Sequence, residues 1–230
     1  MIYYELIISC LLKKDVYYTD ANEFISKKIN KSMLLDDYLK EEHKKRKYKM
    51  YCFNSFFPIE KDKNYKAQKM YIFKLRSLDK QFINKIRTCM KKLKDDEIEI
   101  LSIEKRNLKM KDFKEFSTVT PVIVTVDNKP WKKEDGDIEL FINRLQVNLV
   151  KKYKEVYKED IELEEYFIEK FSIGKKPLAY SYKGKKMLGY KINFKINEDE
   201  ISKKLAYIAL GAGLGEKNSS LGAGFCCIKG

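Results

Sequence analysis

Histidine and tryptophan each occur once in these 230 residues, and proline four times. One imidazole, with five cysteines (Cys10, Cys52, Cys89, Cys226, Cys227) and no Cys-x-x-Cys pair, argues against a structural zinc site. An odd cysteine count without a signal peptide points to reduced thiols in the cytoplasm. No apolar run approaches the roughly 20 residues of a membrane span, so no membrane partner is expected. Tandem carboxylates (Asp36-Asp37, Asp95-Asp96, Glu164-Glu165) sit among charged neighbours and read as solvated surface, so neither a catalytic metal nor a cofactor is expected. Glycine is scarce and uneven: six of the ten fall between Gly211 and Gly230.

What is abundant is positive charge. Charged residues make up 36% of the chain, with a net charge of +14, which favours a polyanionic partner. Residues 1–112 hold 27 Lys and Arg against 17 Asp and Glu, and the remainder 21 against 17, so the surplus is no detachable tail.

Periodicity organises the chain. Residues 2–12 read as a buried strand and 21–42 as a helix. The basic run HKKRKYK (43–49) reads as a loop. Strands follow at 50–57 and 69–75, a helix opens at Asp79, and 97–108 alternates apolar and polar residues as a half-buried strand. The order β-α-β-β-α-β is the ferredoxin-like (RRM-like) plan. After a polar boundary the pattern repeats: a strand at 119–126, a helix at 137–157, strand material at 163–172, 177–182 and 186–195, a helix from Glu198 and a last short strand. The fold class is α+β, two tandem ferredoxin-like domains, 1–112 and 113–230, ending in a glycine-rich loop.

That loop, GAGLGEKNSSLGAGF, can point amide N–H groups at an anion, with Lys217, Asn218, Ser219 and Ser220 as phosphate or sugar partners. A loop that merely closes a sheet is the alternative. No Walker A step is present, and no helix follows the glycines as a dinucleotide fingerprint requires. A second basic element, 173–191, reads as a hairpin: Lys175, Lys176, Lys185 and Lys186 suit phosphates, while Tyr180, Tyr182 and Tyr190 offer faces on which bases stack. His43 is the one side chain able to give or take a proton near neutrality.

Gly213-Leu214-Gly215, a polar run, then Gly222-Ala223-Gly224-Phe225 resembles the C-terminal signature of the CRISPR repeat-processing endoribonucleases of the RAMP superfamily. His43 after the first helix, Lys49 downstream and the aromatic strand MYCFNSFF resemble the same family. The resemblance implies cleavage of precursor CRISPR RNA within its repeats, with no metal, by attack of a 2′-hydroxyl. It implies His43 as general acid/base and Lys49 as stabiliser of the phosphorane, with Tyr38 or Lys28 as a third catalytic residue. It implies RNA contacts by Gly213, Gly215, Lys217, Asn218, Ser219, Ser220, Gly222 and Gly224, and a basic hairpin that grips the repeat. Repeat RNA is the expected partner, with other CRISPR-associated proteins as further partners and a monomer or homodimer as the assembly. Two alternatives stay open: a non-catalytic RNA-binding subunit of an RNA-guided complex, and a basic scaffold that binds nucleic acid by charge alone.

Overall fold

Strand β1 (Ile2–Leu12) buries Leu6, Ile8, Cys10 and Leu12, one alternating face, and therefore sits inside a sheet rather than at its edge. The computed structural model, which describes residues 1–109 and 113–229, pairs it on both sides. β1 is followed by helix α1 (Ala21–Met33), helix α2 (Asp37–Lys44), strands β2 (Tyr51–Phe53) and β3 (Met70–Ser77), helix α3 (Lys80–Lys91) and strand β4 (Ile98–Lys109). The antiparallel sheet runs β2-β3-β1-β4. Ile25 and Ile29 of α1 and Ile83 and Ile86 of α3 pack on one face of it.

The second sheet repeats that order. Strands β5 (Glu115–Thr118), β6 (Ile168–Ile173), β9 (Ile192–Ile196) and β10 (Cys226–Ile228) align as β6-β9-β5-β10, all antiparallel. Helices α4 (Ile138–Tyr157) and α5 (Glu200–Ala212) cover it through Phe141, Leu145, Leu149, Leu205 and Ile208. Between β6 and β9 the chain makes a separate hairpin, β7 (Leu178–Tyr182) and β8 (Lys185–Gly189). This is the tandem ferredoxin-like plan. The boundary expected at Asp112 lies outside the described residues.

Three local expectations are corrected. The helix expected over 21–42 is two helices: the chain turns at Leu34 and Leu35, both 54% exposed, and Asp36 caps α2 by accepting from the Leu39 N–H at 3.0 Å. His43 consequently lies in the last turn of α2, not in a loop. The second sheet begins at Glu115, because the β-branched run from Val119 onward crosses as a buried connection held at Val122 to Tyr190 and Ile123 to Glu216. The strand expected over 186–195 is divided between β8 and β9, where Gly189 lies against the Val122 carbonyl.

The glycine loop is a wedge between the two sheets, and its amides turn inward. Leu214 N–H donates to the Gly224 carbonyl (2.9 Å), Glu216 N–H to Ile123 (2.9 Å) and Gly224 N–H to Pro121 (2.9 Å). The Phe225 N–H donates to the Thr120 hydroxyl at 2.9 Å. These groups are spent, so the expected amide cradle for an anion is largely an internal brace. The glycines serve close approach instead. A Cβ on Gly224 would stand 1.9 Å from the Leu214 carbonyl oxygen, and one on Gly222 would stand 2.4 Å from the Phe53 carbonyl oxygen of β2.

Arg76 of β3 ties the sheets together. Its Nε donates to Glu5 of β1 at 2.7 Å and its Nη1 to the Cys226 carbonyl of β10 at 2.6 Å, with the guanidinium 4.2 Å from the Phe225 ring centroid. Both charged residues are buried. Asn22 of α1 adds a second tie, donating to the Leu221 carbonyl at 2.7 Å.

Two consequences are measurable. Arg76→Met leaves the buried Glu5 carboxylate only the more distant Lys74 (3.6 Å) and should cost about 3–5 kcal/mol in urea unfolding, whereas the double replacement with Glu5→Met should recover most of it. An Arg76→Met variant as stable as the parent would contradict this. Gly224→Ala should cost upward of about 2 kcal/mol, from its left-handed φ of +67° and the Leu214 contact. Gly184→Ala, also at positive φ but with nothing within 4 Å, should cost only the backbone strain of about 1–2 kcal/mol.

Candidate active site

A cleft of about 340 Å³ opens where the turn after α2 faces the glycine loop across α4. Lys47, Tyr48 and Lys49 form one wall, Lys217, Ser219 and Ser220 the opposite one, and Arg144, Asn148 and Lys151 of α4 the third. Arg144, Lys151 and Lys217 have no carboxylate within ion-pair distance among the described residues, so their charge faces the cleft without a counter-ion. Neighbouring lysines of the α2 end do have one: Lys44 lies 2.8 Å from Glu41, and Lys47 3.0 Å from Glu42.

Lys49 stands at the mouth. Its ammonium donates to the Glu42 carbonyl and to the Lys45 carbonyl (2.8 Å), closing the C-terminal end of α2. Glu42 directly precedes His43, so the Lys49 ammonium is bonded to the peptide unit that leads into His43. The His43 side chain is exposed and is not among the residues lining the cleft. Burial holds the Lys49 ammonium below its ordinary lysine value, and burial together with the Glu216 carboxylate pushes the Tyr48 hydroxyl up. Burial pushes the hydroxyl of Tyr51, on β2, up, an effect that the neighbouring Ser219 of the glycine loop partly offsets.

The other two residues considered for catalysis are elsewhere. Tyr38 donates to Asp79 at 3.3 Å, and burial, followed by the Asp79 charge, pushes its hydroxyl up to about 12. Asp79 meanwhile caps α3. Lys28 is 6% exposed, ion-paired with Asp95 (2.8 Å) and Glu97, and its ammonium lies 4.6 Å from the Phe24 ring centroid. Neither lines the cleft. Each is held by carboxylates away from the cleft in this structure.

Among the residues expected to meet RNA, Asn218 points inward, donating to the Leu214 (3.0 Å) and Ala223 (2.8 Å) carbonyls. Gly213, Gly215, Gly222 and Gly224 are buried. Lys217, Ser219 and Ser220 remain partly exposed on the cleft wall. In the hairpin Lys175, Lys176, Lys185 and Lys186 are exposed, but only one of the three tyrosines is even partly exposed. Tyr180 is buried and donates to Pro121, and Tyr190 is buried and accepts from the Lys133 N–H. Tyr182 is the exception, with the Lys217 ammonium 5.8 Å from its ring centroid, so the hairpin adjoins the loop. The hairpin also docks on the first half, Ser181 N–H donating to Thr19 and Lys183 N–H to Glu23.

Sequence reasoning missed the α4 wall and Tyr48. The signal was present: Arg144, Asn148 and Lys151 recur at helical spacing on one stripe of an otherwise ordinary amphipathic helix.

Comparison with known proteins supplies the family. Residues 103–229, more than half of the chain, match the family model described as CRISPR associated protein Cas6, C-terminal. The chain is 28% identical over 233 residues to CRISPR-associated endoribonuclease Cas6 2 of Methanocaldococcus jannaschii, covering 90% of this chain and 95% of that one. Its fold is similar to a structure described as CRISPR associated protein Cas6, at TM-score 0.74 and 17% identity, covering 99% of this chain and 100% of that one. A Cas6-related protein from Pyrococcus furiosus is similar at TM-score 0.71 and 22% identity, with 99% and 98% coverage. The basic cleft braced by a glycine loop and the family match over that same half place this chain in the Cas6 family of CRISPR-associated proteins.

Proposed function

We propose that the protein is an endoribonuclease that cuts precursor CRISPR RNA within its repeats, with His43 and Lys49 at the centre of the reaction. One observation carries this assignment: the Lys49 ammonium, on the wall of a basic cleft, closes the C-terminal end of α2, whose last turn holds the chain's only imidazole. The relative from Methanocaldococcus jannaschii is named an endoribonuclease, and a second structure of similar fold (TM-score 0.75, 19% identity, covering 99% of this chain and 100% of that one) is described as a RAMP protein binding different RNA substrates.

The 2′-hydroxyl oxygen attacks the adjacent phosphorus and loses its proton. The bond to the 5′-oxygen breaks, and that oxygen gains a proton. The products are a 2′,3′-cyclic phosphate and a 5′-hydroxyl, and atoms and charge balance without an added water. His43 serves one of the two proton transfers, worth on the order of 10²–10⁴-fold. The phosphorane gathers negative charge, which Lys49 meets by leaving the two carbonyls that hold it in the free protein. Arg144, Lys151 and Lys217 hold the flanking phosphates, and the exposed hairpin lysines grip the repeat further out. Residues 1–112 form the catalytic unit in this scheme and 113–230 the RNA-holding unit. Among the described residues no helix is long and apolar enough to cross a membrane, and all five cysteines are free thiols, which supports a cytoplasmic setting.

End-labelled repeat RNA incubated in excess EDTA should be cut once, and a 2′-deoxy substitution at the cut should abolish cleavage. His43→Ala should slow the single-turnover rate about 10²–10⁴-fold and Lys49→Ala about 10²-fold or more, with RNA still bound. Tight, repeat-specific binding without any cut would instead make the protein a non-catalytic RNA-binding subunit.

A further inference from the structure

Lys152 lies in the C-terminal half of α4 and is 2% exposed. The other deeply buried cations, Lys28 and Arg76, each face a carboxylate. Lys152 does not. Its ammonium donates to the Gly213 carbonyl (2.8 Å), the Gly215 carbonyl (3.4 Å) and Asn218 Oδ1 (2.6 Å), three uncharged acceptors. Burying a cation without a counter-ion is costly, and a methionine would avoid that cost only by leaving the Gly213 and Gly215 carbonyls and Asn218 Oδ1 without this donor. Packing alone therefore does not explain a lysine here.

The geometry does. Residues 213–218 wind around this one ammonium, and Asn218 clamps the turn from its other side through Leu214 and Ala223. With the carbonyls of Gly213 and Gly215 drawn inward, the outer side of the turn presents Lys217, Ser219 and Ser220 to the cleft opposite Lys49. We propose that Lys152 is a positioning residue for RNA cleavage: its ammonium holds the glycine loop in the one conformation that sets the cleft wall against the RNA strand. This assignment rests on the endoribonuclease reading for its kinetic consequence, although the contact between lysine and loop is independent of it.

Charge matters to the hold. Burial lowers the Lys152 ammonium to about 8. The titratable groups facing it are the thiols of Cys52 on β2 and Cys226 on β10, both pushed up by burial and hence uncharged in this range, with Arg76 beyond them. Glu216 in the loop is turned away onto Thr125. Because the folded value lies below the ordinary lysine value, keeping the proton costs stability at neutral pH. Raising pH from about 8 to about 10 relieves that cost while loosening the loop. Stability and cleavage should therefore part company: cleavage falls where stability does not.

The test compares wild type, Lys152→Met and Lys152→Arg in single-turnover cleavage of repeat RNA at saturating enzyme, from about pH 6.5 to about 9.5. Thermal melting and binding of an uncleavable 2′-deoxy repeat are measured alongside. The expected result for Lys152→Met is cooperative melting, binding within about threefold of wild type and a rate lower by about ten- to a hundredfold. The alkaline limb expected near pH 8 for wild type should be missing. Lys152→Arg, whose guanidinium keeps its charge, should recover rate and move that limb upward. A Met variant that cuts like wild type, or one that keeps the limb unchanged (which would belong to Lys49), overturns the proposal, as does a well-folded Arg variant no faster than Met. If neither variant folds, amide signals of Leu214, Gly215 and Asn218 in the wild-type protein decide. A shared titration near pH 8 supports the hold, and its absence overturns it. A wild-type protein that binds repeat RNA without cutting it removes the endoribonuclease reading but leaves the loop titration to be judged on its own.

Discussion

The Arg76 guanidinium is the point on which the two sheets meet. It takes a carboxylate from β1, a carbonyl from β10 and a ring face from Phe225, so one planar cation is satisfied by both halves of the chain. A flexible ammonium would not hold that fork of directions. Two ferredoxin-like units joined only by a linker would rotate against each other by default. Here the rotation would strand a buried charge, and the cleft between the basic turn and the glycine loop keeps its shape for that reason. Asn22 and the docked hairpin reinforce the same registration from two other elements.

The glycine loop then acts as a wall rather than as a ring of exposed amides. The amides of Leu214, Glu216, Gly224 and Phe225 and the side chain of Asn218 are spent on internal hydrogen bonds, which brace the loop. Its few outward side chains are thereby placed against the α2 turn without further ordering on binding. Preorganisation of this kind is what electrostatic stabilisation of a developing charge requires, since a group that must first be ordered gives part of its interaction back. The division of labour follows: braced loop and α4 stripe on one side, and on the other Lys49, whose ammonium is held by two carbonyls it can leave.

Much of this was legible in the sequence. The doubled β-α-β-β-α-β pattern, the Asp79 cap, the basic turn and the terminal glycine loop all follow from local signals that tertiary packing did not override. The failures have physical causes. Leu34 and Leu35 continue a helical apolar pattern but point to solvent, so periodicity could not show the break that Asp36 makes. The run from Val119 onward has strong β-propensity, yet its burial is satisfied by packing under the hairpin rather than by pairing in the sheet. Tyr180 and Tyr190 looked like stacking platforms because aromatic residues near lysines fit both a core and a binding face. Lys152 was invisible: in the run KKYKEVYK it is one lysine among several, and only the fold buries it. Asn218 was read outward for the same reason, since a polar residue in a glycine loop gives no hint of which way it turns.

The most direct test of the account is photo-crosslinking of repeat RNA carrying a single 4-thiouridine next to the cut, bound to the His43→Ala protein and mapped by mass spectrometry. The account predicts crosslinks on the turn containing Tyr48 and on the loop at Ser219 or Ser220, the two walls of one cleft. Crosslinks confined to the exposed hairpin, or to the open face of the first sheet around Ile72, would contradict it.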